Sequence, residues 1–228
     1  KPTFYISPAV DKKWLEEIIR PLKDPAIDVA SGYYKTAAPT VFGRCVACYA
    51  LVAPDKLNAA NFLPSARSMA VKKHVWKEVG GFPEHFPFNE DYVFANTLKR
   101  LGKRIQFTKK AIVYWRPREN SIEAIRMFYS FAKGDVMAKI FRPKVFFIFF
   151  RCLVGTGILV HFFLTQESFI RNTIYILLMA YILWAIFKNY RHVNHWKALF
   201  FLPLLQVGSD IAVMAGSIRG LLWHEHSS

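Results

Sequence analysis

Three long apolar runs fill the second part of the chain, and no water-soluble core of this size has room for them. Val145 to Thr165, Phe169 to Phe187 and Ala198 to Trp223 are each long enough, at about 1.5 Å per residue, to cross a hydrocarbon layer of about 30 Å. Only Gln166, Glu167 and Ser168 separate the first two runs, whereas Lys188, Arg191 and Lys197 surround the next connection. The positive-inside rule therefore places the basic connection and the first 144 residues in the cytoplasm and the C-terminus outside. Charged residues within such runs are costly and need a reason. Arg151 lies near enough to the cytoplasmic end to snorkel. Asp210, with Gln206 one turn before it, is expected to face the bundle, either as a packing device or in contact with a lipid-linked substrate or a proton. Gly208, Ala212, Gly216 and Gly220 form a stripe of small residues suited to close helix contact.

Charge separates the two parts further. Residues 1–144 carry 25 Lys and Arg against 13 Asp and Glu, and residues 145–228 carry 6 against 3, which together make the 31 and 16 of the chain. A net charge of +15 points to anionic partners such as nucleic acid, lipid or phosphate-rich ligands. Because Arg126, Lys133, Lys139, Arg142 and Lys144 lie just before the first apolar run, membrane lipids are the expected partner, and nucleic acid is not. Three cysteines are too few for a disulfide framework, and all are expected to be reduced. No apolar core with a small-residue cleavage site follows Lys1. The start at Lys, not Met, leads to the expectation that an N-terminal part precedes this sequence.

The first 144 residues read as mixed α/β. After Asp11, Trp14, Leu15, Ile18 and Ile19 repeat at helical spacing, with Glu16, Glu17 and Arg20 on the other face. Ile27 to Tyr34 reads as a strand, Pro54 to Pro64 as a loop and Ser65 to Val71 as a second strand. A short helix then stops at Gly80 and Gly81. A longer one starts near Asn89 and Glu90, buries Val93, Phe94, Leu98 and Leu101, and ends at Gly102. Arg104 to Thr108 and Ala111 to Trp115 read as two further short strands.

The candidate chemistry lies in Pro64-Ser-Ala-Arg-Ser-Met-Ala70, Val79-Gly-Gly-Phe82 and Asn89-Glu-Asp91. This order, continued by Gly102 to Phe107 and Ala111 to Trp115, resembles the acceptor half of a family 2 glycosyltransferase of GT-A fold. The fold expected is thus the C-terminal part of a GT-A-like domain at residues 1–144, followed by an all-α membrane domain of about three helices at residues 145–228. The resemblance implies that an acceptor hydroxyl attacks the anomeric carbon of a nucleotide-sugar donor, with inversion. It gives Asp91 the role of general base and Glu90 that of orienting the acceptor, and it adds Arg67 on the substrate side. Read by themselves, Asn89, Glu90 and Asp91 have a simpler use as a helix cap.

The resemblance also implies a divalent metal, Mg or Mn, in the complete enzyme. No Asp-x-Asp occurs in this chain, so those ligands and the nucleotide-binding half are expected upstream of Lys1. Trp115 stands where many relatives carry a metal-touching His. Arg126, Tyr129 and Lys133 occupy the place of the Gln-x-x-Arg-Trp motif of processive relatives and would clamp a diphosphate, or else belong to a basic helix lying on the membrane. Since that motif is absent, a processive polymerase is not expected. The acceptor implied is a cell-envelope glycan or a lipid-linked sugar, handled at the cytoplasmic face of a bacterial inner membrane. The competing reading is a non-catalytic membrane anchor or assembly subunit that keeps the acceptor half.

Weaker patterns remain. Cys45 and Cys48 have zinc or redox spacing without a second pair. His192 with His195 and His224 with His226 could bind metal adventitiously but fall at membrane edges, where polar anchoring explains them better, and Lys72 and Lys73 read as a solvated face in preference to a phosphate site.

Overall fold

The computed structural model describes residues 9–51, 58, 62–83 and 89–225; the expected loop at Pro54 to Pro64 and the His224–His226 pair fall largely outside them. The chain divides into two compact units, one of residues 1–39 and 51–117, the other of residues 40–50 and 118–228. This packing boundary differs from the compositional one at residue 144, because residues 118–144 pack with the apolar helices.

The first unit is built on a four-stranded sheet of order β1-β4-β2-β3, formed by β1 (Ala9–Val10), β2 (Val29–Thr36), β3 (Met69–Val71) and β4 (Ile105–Trp115). Strand β2 pairs parallel with β4 and antiparallel with β3. Its first five residues are all buried, as expected of a strand covered on both faces. On one face Val29 meets Val75 of α3 (Lys73–Val79) and Phe94 and Leu98 of α4 (Glu90–Arg100). On the other, Ala30 meets Ala111 and Ile18 of α1 (Trp14–Ile19).

Two elements differ from expectation for identifiable reasons. The two short strands of the sequence reading are one, β4, with an irregularity: Gly32 pairs with Thr108 but Tyr33 with Ile112, so residues 109–111 bulge out of the ladder. The bulge turns the Ala111 carbonyl toward Gly32, where a Cβ would lie 2.4 Å from that oxygen and 2.0 Å from Ser68 Oγ. The strand expected from Ser65 begins only at Met69, since Ala66–Ser68 form a 3-10 turn. In α1, Glu17 is not on a solvated face: it is buried at 8% exposure and pairs with Arg20 at 3.0 Å.

The second unit is helical. It contains α2 (Val41–Ala50), which the sequence reading did not anticipate, α5 (Ser121–Met137), and three helices long and apolar enough to cross a membrane: α6 (Pro143–Leu164), α7 (Ser168–Val193) and α8 (Ala198–Glu225). Helix α5 starts at Asn120, whose side chain accepts from Ile122 N at 2.8 Å, a regular N-cap. The small-residue stripe of α8 is used for close contact, and its partner is α5. A Cβ on Gly216 would lie 2.2 Å from the Tyr129 carbonyl, and one on Gly220 2.9 Å from that of Lys133.

Asp210 faces inward, at 4% exposure. Arg151, expected near enough to the cytoplasmic end to snorkel, also has partners within the unit: its guanidinium is ion-paired with Asp210 and lies 5.3 Å from the Trp184 ring centroid. Gln206 Nε2 donates to the same carboxylate at 3.1 Å, and Lys188 donates to Gln206 Oε1 at 3.2 Å. A lone guanidinium on an apolar helix is costly, and a carboxylate on the neighbouring helix offsets that cost.

Two substitutions test these accounts. Gly32→Ala should lower stability by about 3 kcal/mol, the upper range for overpacking, and an unchanged unfolding midpoint in detergent would contradict the close approach. Arg151→Leu or Asp210→Leu alone should cost about 3 kcal/mol or more, with the double variant regaining much of it; strictly additive losses would show that the pair is not coupled.

Candidate functional site

Asp91 lies in the first turn of α4, beside the turn that follows Pro64. Its Oδ2 accepts from Ser65 Oγ at 2.8 Å and from Ala66 N at 3.0 Å. The carboxylate thus ties the start of α4 to the 3-10 turn, which explains why no strand forms at Ser65. No hydrogen bond to Oδ1 occurs among the described residues. Asn89 has a left-handed φ of 62° and no side-chain bond to the helix start, so the simple capping use does not apply to it. Glu90 is half-buried next to Asp91 and acidic in the same turn, where the helix dipole favours negative charge.

The approach to α4 is set by Gly80 and Gly81, with φ of 83° and 74°, a region that side chains with a Cβ avoid. Gly81 packs over the indole of Trp76, where a Cβ would sit 3.1 Å from the ring. Trp76, Phe82 and Phe94 form an aromatic cluster with centroids 5.0–5.1 Å apart, which anchors this turn to α4.

Arg67, from the same turn as Ala66, is exposed. Its guanidinium lies 5.6 Å from the Trp115 ring centroid and 6.0 Å from that of Tyr34, within cation-π range. Tyr34 and Trp115 come from the ends of the parallel strands β2 and β4, where Trp115 is opposite Thr36. Burial pushes the Tyr34 hydroxyl up from its ordinary value; the Arg67 charge opposes this and the Asp91 charge adds to it. At neutral pH Tyr34 is therefore a neutral phenol. Below this layer, Trp14 Nε1 donates to Ser68 Oγ at 2.9 Å, fixing the end of the turn that carries Arg67.

The structure thus groups Asp91, Glu90 and Arg67 within one unit and adds Tyr34, Ser65 and Trp115 as their supports. Tyr34 was missed, because its place depends on a strand pairing that no local pattern reveals. Arg126, Tyr129 and Lys133 belong to α5 in the other unit. There Arg126 is exposed, while Tyr129 packs against the apolar cluster of α2, α5 and α8.

Among the described residues no group of three or more His, Cys, Asp or Glu side chains could hold a metal ion. Trp115 offers no lone pair, and its face already receives the Arg67 cation. Cys45 is buried in α2, and burial, the largest effect, together with the neighbouring Cys48 pushes its thiol up to about 12. That disfavours the thiolate which zinc or redox chemistry would need. Lys72 is not simply solvated, since its Nζ donates to the carbonyls of Asp24 and Pro25, both at 2.9 Å.

No family model and no curated protein matches the chain.

The bonds to Ser65 and Ala66 give Asp91 a structural role separable from any chemistry. Asp91→Ala should destabilise the chain by about 2 kcal/mol, the scale for losing hydrogen bonds to a charged group, and Asp91→Asn, which keeps an acceptor oxygen, by less. Equal losses in denaturant titrations would contradict the geometry.

Proposed function

We propose that the chain forms the acceptor side of a membrane-bound, inverting glycosyltransferase, which moves a sugar from a nucleotide-sugar to a cell-envelope glycan or lipid-linked acceptor. The observation that carries this reading is the Asp91 carboxylate: one oxygen is held by two donors, the other accepts no hydrogen bond among the described residues, and a guanidinium and a neutral phenol belong to the same unit. A general base needs that combination of fixed position and free lone pair. In this reading Asp91 takes the proton from the acceptor hydroxyl as that oxygen attacks the anomeric carbon and the nucleoside diphosphate leaves. Glu90 orients the acceptor, and Arg67 stabilises negative charge on the substrate side. Arg126, Tyr129 and Lys133 contribute a basic helical surface for diphosphate or lipid headgroups. The divalent metal and the nucleotide-binding elements belong to a donor half that these residues do not supply.

The basic residues around the α7–α8 connection support a cytoplasmic position for the first unit, at the inner membrane of a bacterium. The ordered resemblance from Pro64 to Trp115 supports the glycosyltransferase family. The stacking of Arg67 on Trp115, where relatives carry a metal-touching His, favours the second reading, a non-catalytic anchor or assembly subunit.

Kinetics separate the two. In membranes containing the full-length protein, Asp91→Asn should lower sugar transfer by about two to four orders of magnitude, with the protein still folded. Near-normal transfer by that variant would leave Asp91 only its structural role and favour the anchor.

A further inference from the structure

We infer that α8, although long and apolar enough to cross a bilayer, lies along the membrane surface, so that its C-terminal end is on the same side as its start. Helices α6 and α7 are joined by residues 165–167 only and pack antiparallel: Phe162 meets Tyr175 at 5.1 Å near the connection, and Arg151 lies over Tyr181 and Trp184 further along. As a spanning hairpin they put Pro143 and Val193 on one side and Glu167 on the other. Helix α8 starts at Ala198, after residues 194–197, and so begins on the side of Val193.

Helix α5 fixes where α8 ends. Met137 is separated from Pro143 by residues 138–142, a stretch that reaches about 20 Å at full extension, less than the hydrocarbon thickness of about 30 Å. Arg142 also pairs with Asp135 through both guanidinium and carboxylate groups, one contact being 2.8 Å, so this stretch turns back toward α5. The end of α5 is therefore on the Pro143 side. That same end touches the end of α8: Gly220 lies against Lys133 and Val136, while Gly208 lies against Ile125. Ala198 and Gly220 are thus on one side, although about 33 Å of helix separates them at 1.5 Å per residue. A helix with both ends on one side does not span.

Side-chain distribution supports the same placement independently. Phe200, Leu204, Val207, Ile211, Ile218 and Leu222 recur along one face of α8 and are 46–69% exposed. The opposite face buries Gln206, Ser209, Asp210 and Ser217. Helix α5 carries Glu123, Arg126, Lys133 and Asp135, and a spanning α8 would drag these charges into hydrocarbon. With α8 on the surface, its apolar face meets the acyl chains of the leaflet from which α6 and α7 descend, and α5 faces water. The Arg151–Asp210 pair then lies toward the membrane boundary, not at its centre.

The test is cysteine labelling of the full chain in sealed membranes with an impermeant maleimide, using Glu167→Cys, Asn194→Cys and Ser227→Cys in a background where Cys45, Cys48 and Cys152 are Ser. Ser227→Cys should label from the same side as Asn194→Cys and be lost from labelling whenever Asn194→Cys is shielded, with Glu167→Cys behaving oppositely. Should the background fail to fold, protease accessibility of a C-terminal epitope on the native-cysteine chain reads the same sidedness. Ser227→Cys, or the epitope, tracking with Glu167 would overturn the inference. So would Glu167→Cys tracking with Asn194→Cys, because α6 and α7 would then not cross.

Discussion

Gly216 and Gly220 allow the backbone of α8 to come against the carbonyls of Tyr129 and Lys133, and the arrangement of the helical unit depends on that contact. A methyl group at either position would push the helices apart. With them seated together, a charged helix and an apolar one behave as a single layer. The layer is completed by α2, whose buried Cys45 and Val46 join Ala124, Phe128, Leu202 and Leu205 in one apolar cluster. Close packing of small residues does not depend on expelling water, so the seam holds equally well at a membrane boundary.

In the sheet-bearing unit the corresponding constraint is the crowding at Gly32. The bulge that brings the Ala111 carbonyl there also sets the register of the last four β2–β4 pairs, ending at Thr36 and Trp115. That register puts Tyr34 and Trp115 within reach of Arg67. The turn carrying Arg67 is held at one end by Trp14 on Ser68 and at the other by Asp91 on Ser65 and Ala66. The proposed base and the proposed cation are thus connected through Ala66, the residue next to Arg67. Position is what a general base chiefly needs from its protein, and here hydrogen bonds from a neighbouring turn supply it.

Much of this was legible in the residues, where the governing interactions are local. The apolar runs, the helix beginning at Glu90, the inward face of Asp210 and the close-packing use of Gly216 and Gly220 follow from spacing and polarity alone. What was not legible depends on partners far apart in the chain. Helix α2 has its packing partners in α7 and α8, with Phe128 of α5 against Tyr49, so its own ten residues give little sign of it. Arg151 and Asp210 are 59 positions apart, and each alone suggests a different remedy for its charge. The bulge in β4 looks like a gap between two strands, because Lys109 and Lys110 are polar; only the pairing with β2 makes one strand of it. The length and apolarity of α8 indicate a span, and its contact with α5 and the polar residues buried on one of its faces argue against that.

The single displacement proposed with Asp91 as base is tested most directly by the anomeric configuration of the product. Membranes containing the full-length protein, supplied with a panel of nucleotide-sugars and divalent metal, should yield a glycoside whose anomeric configuration, read by NMR, is opposite to that of the donor. Retained configuration, or no transfer from any donor in the panel, would contradict it.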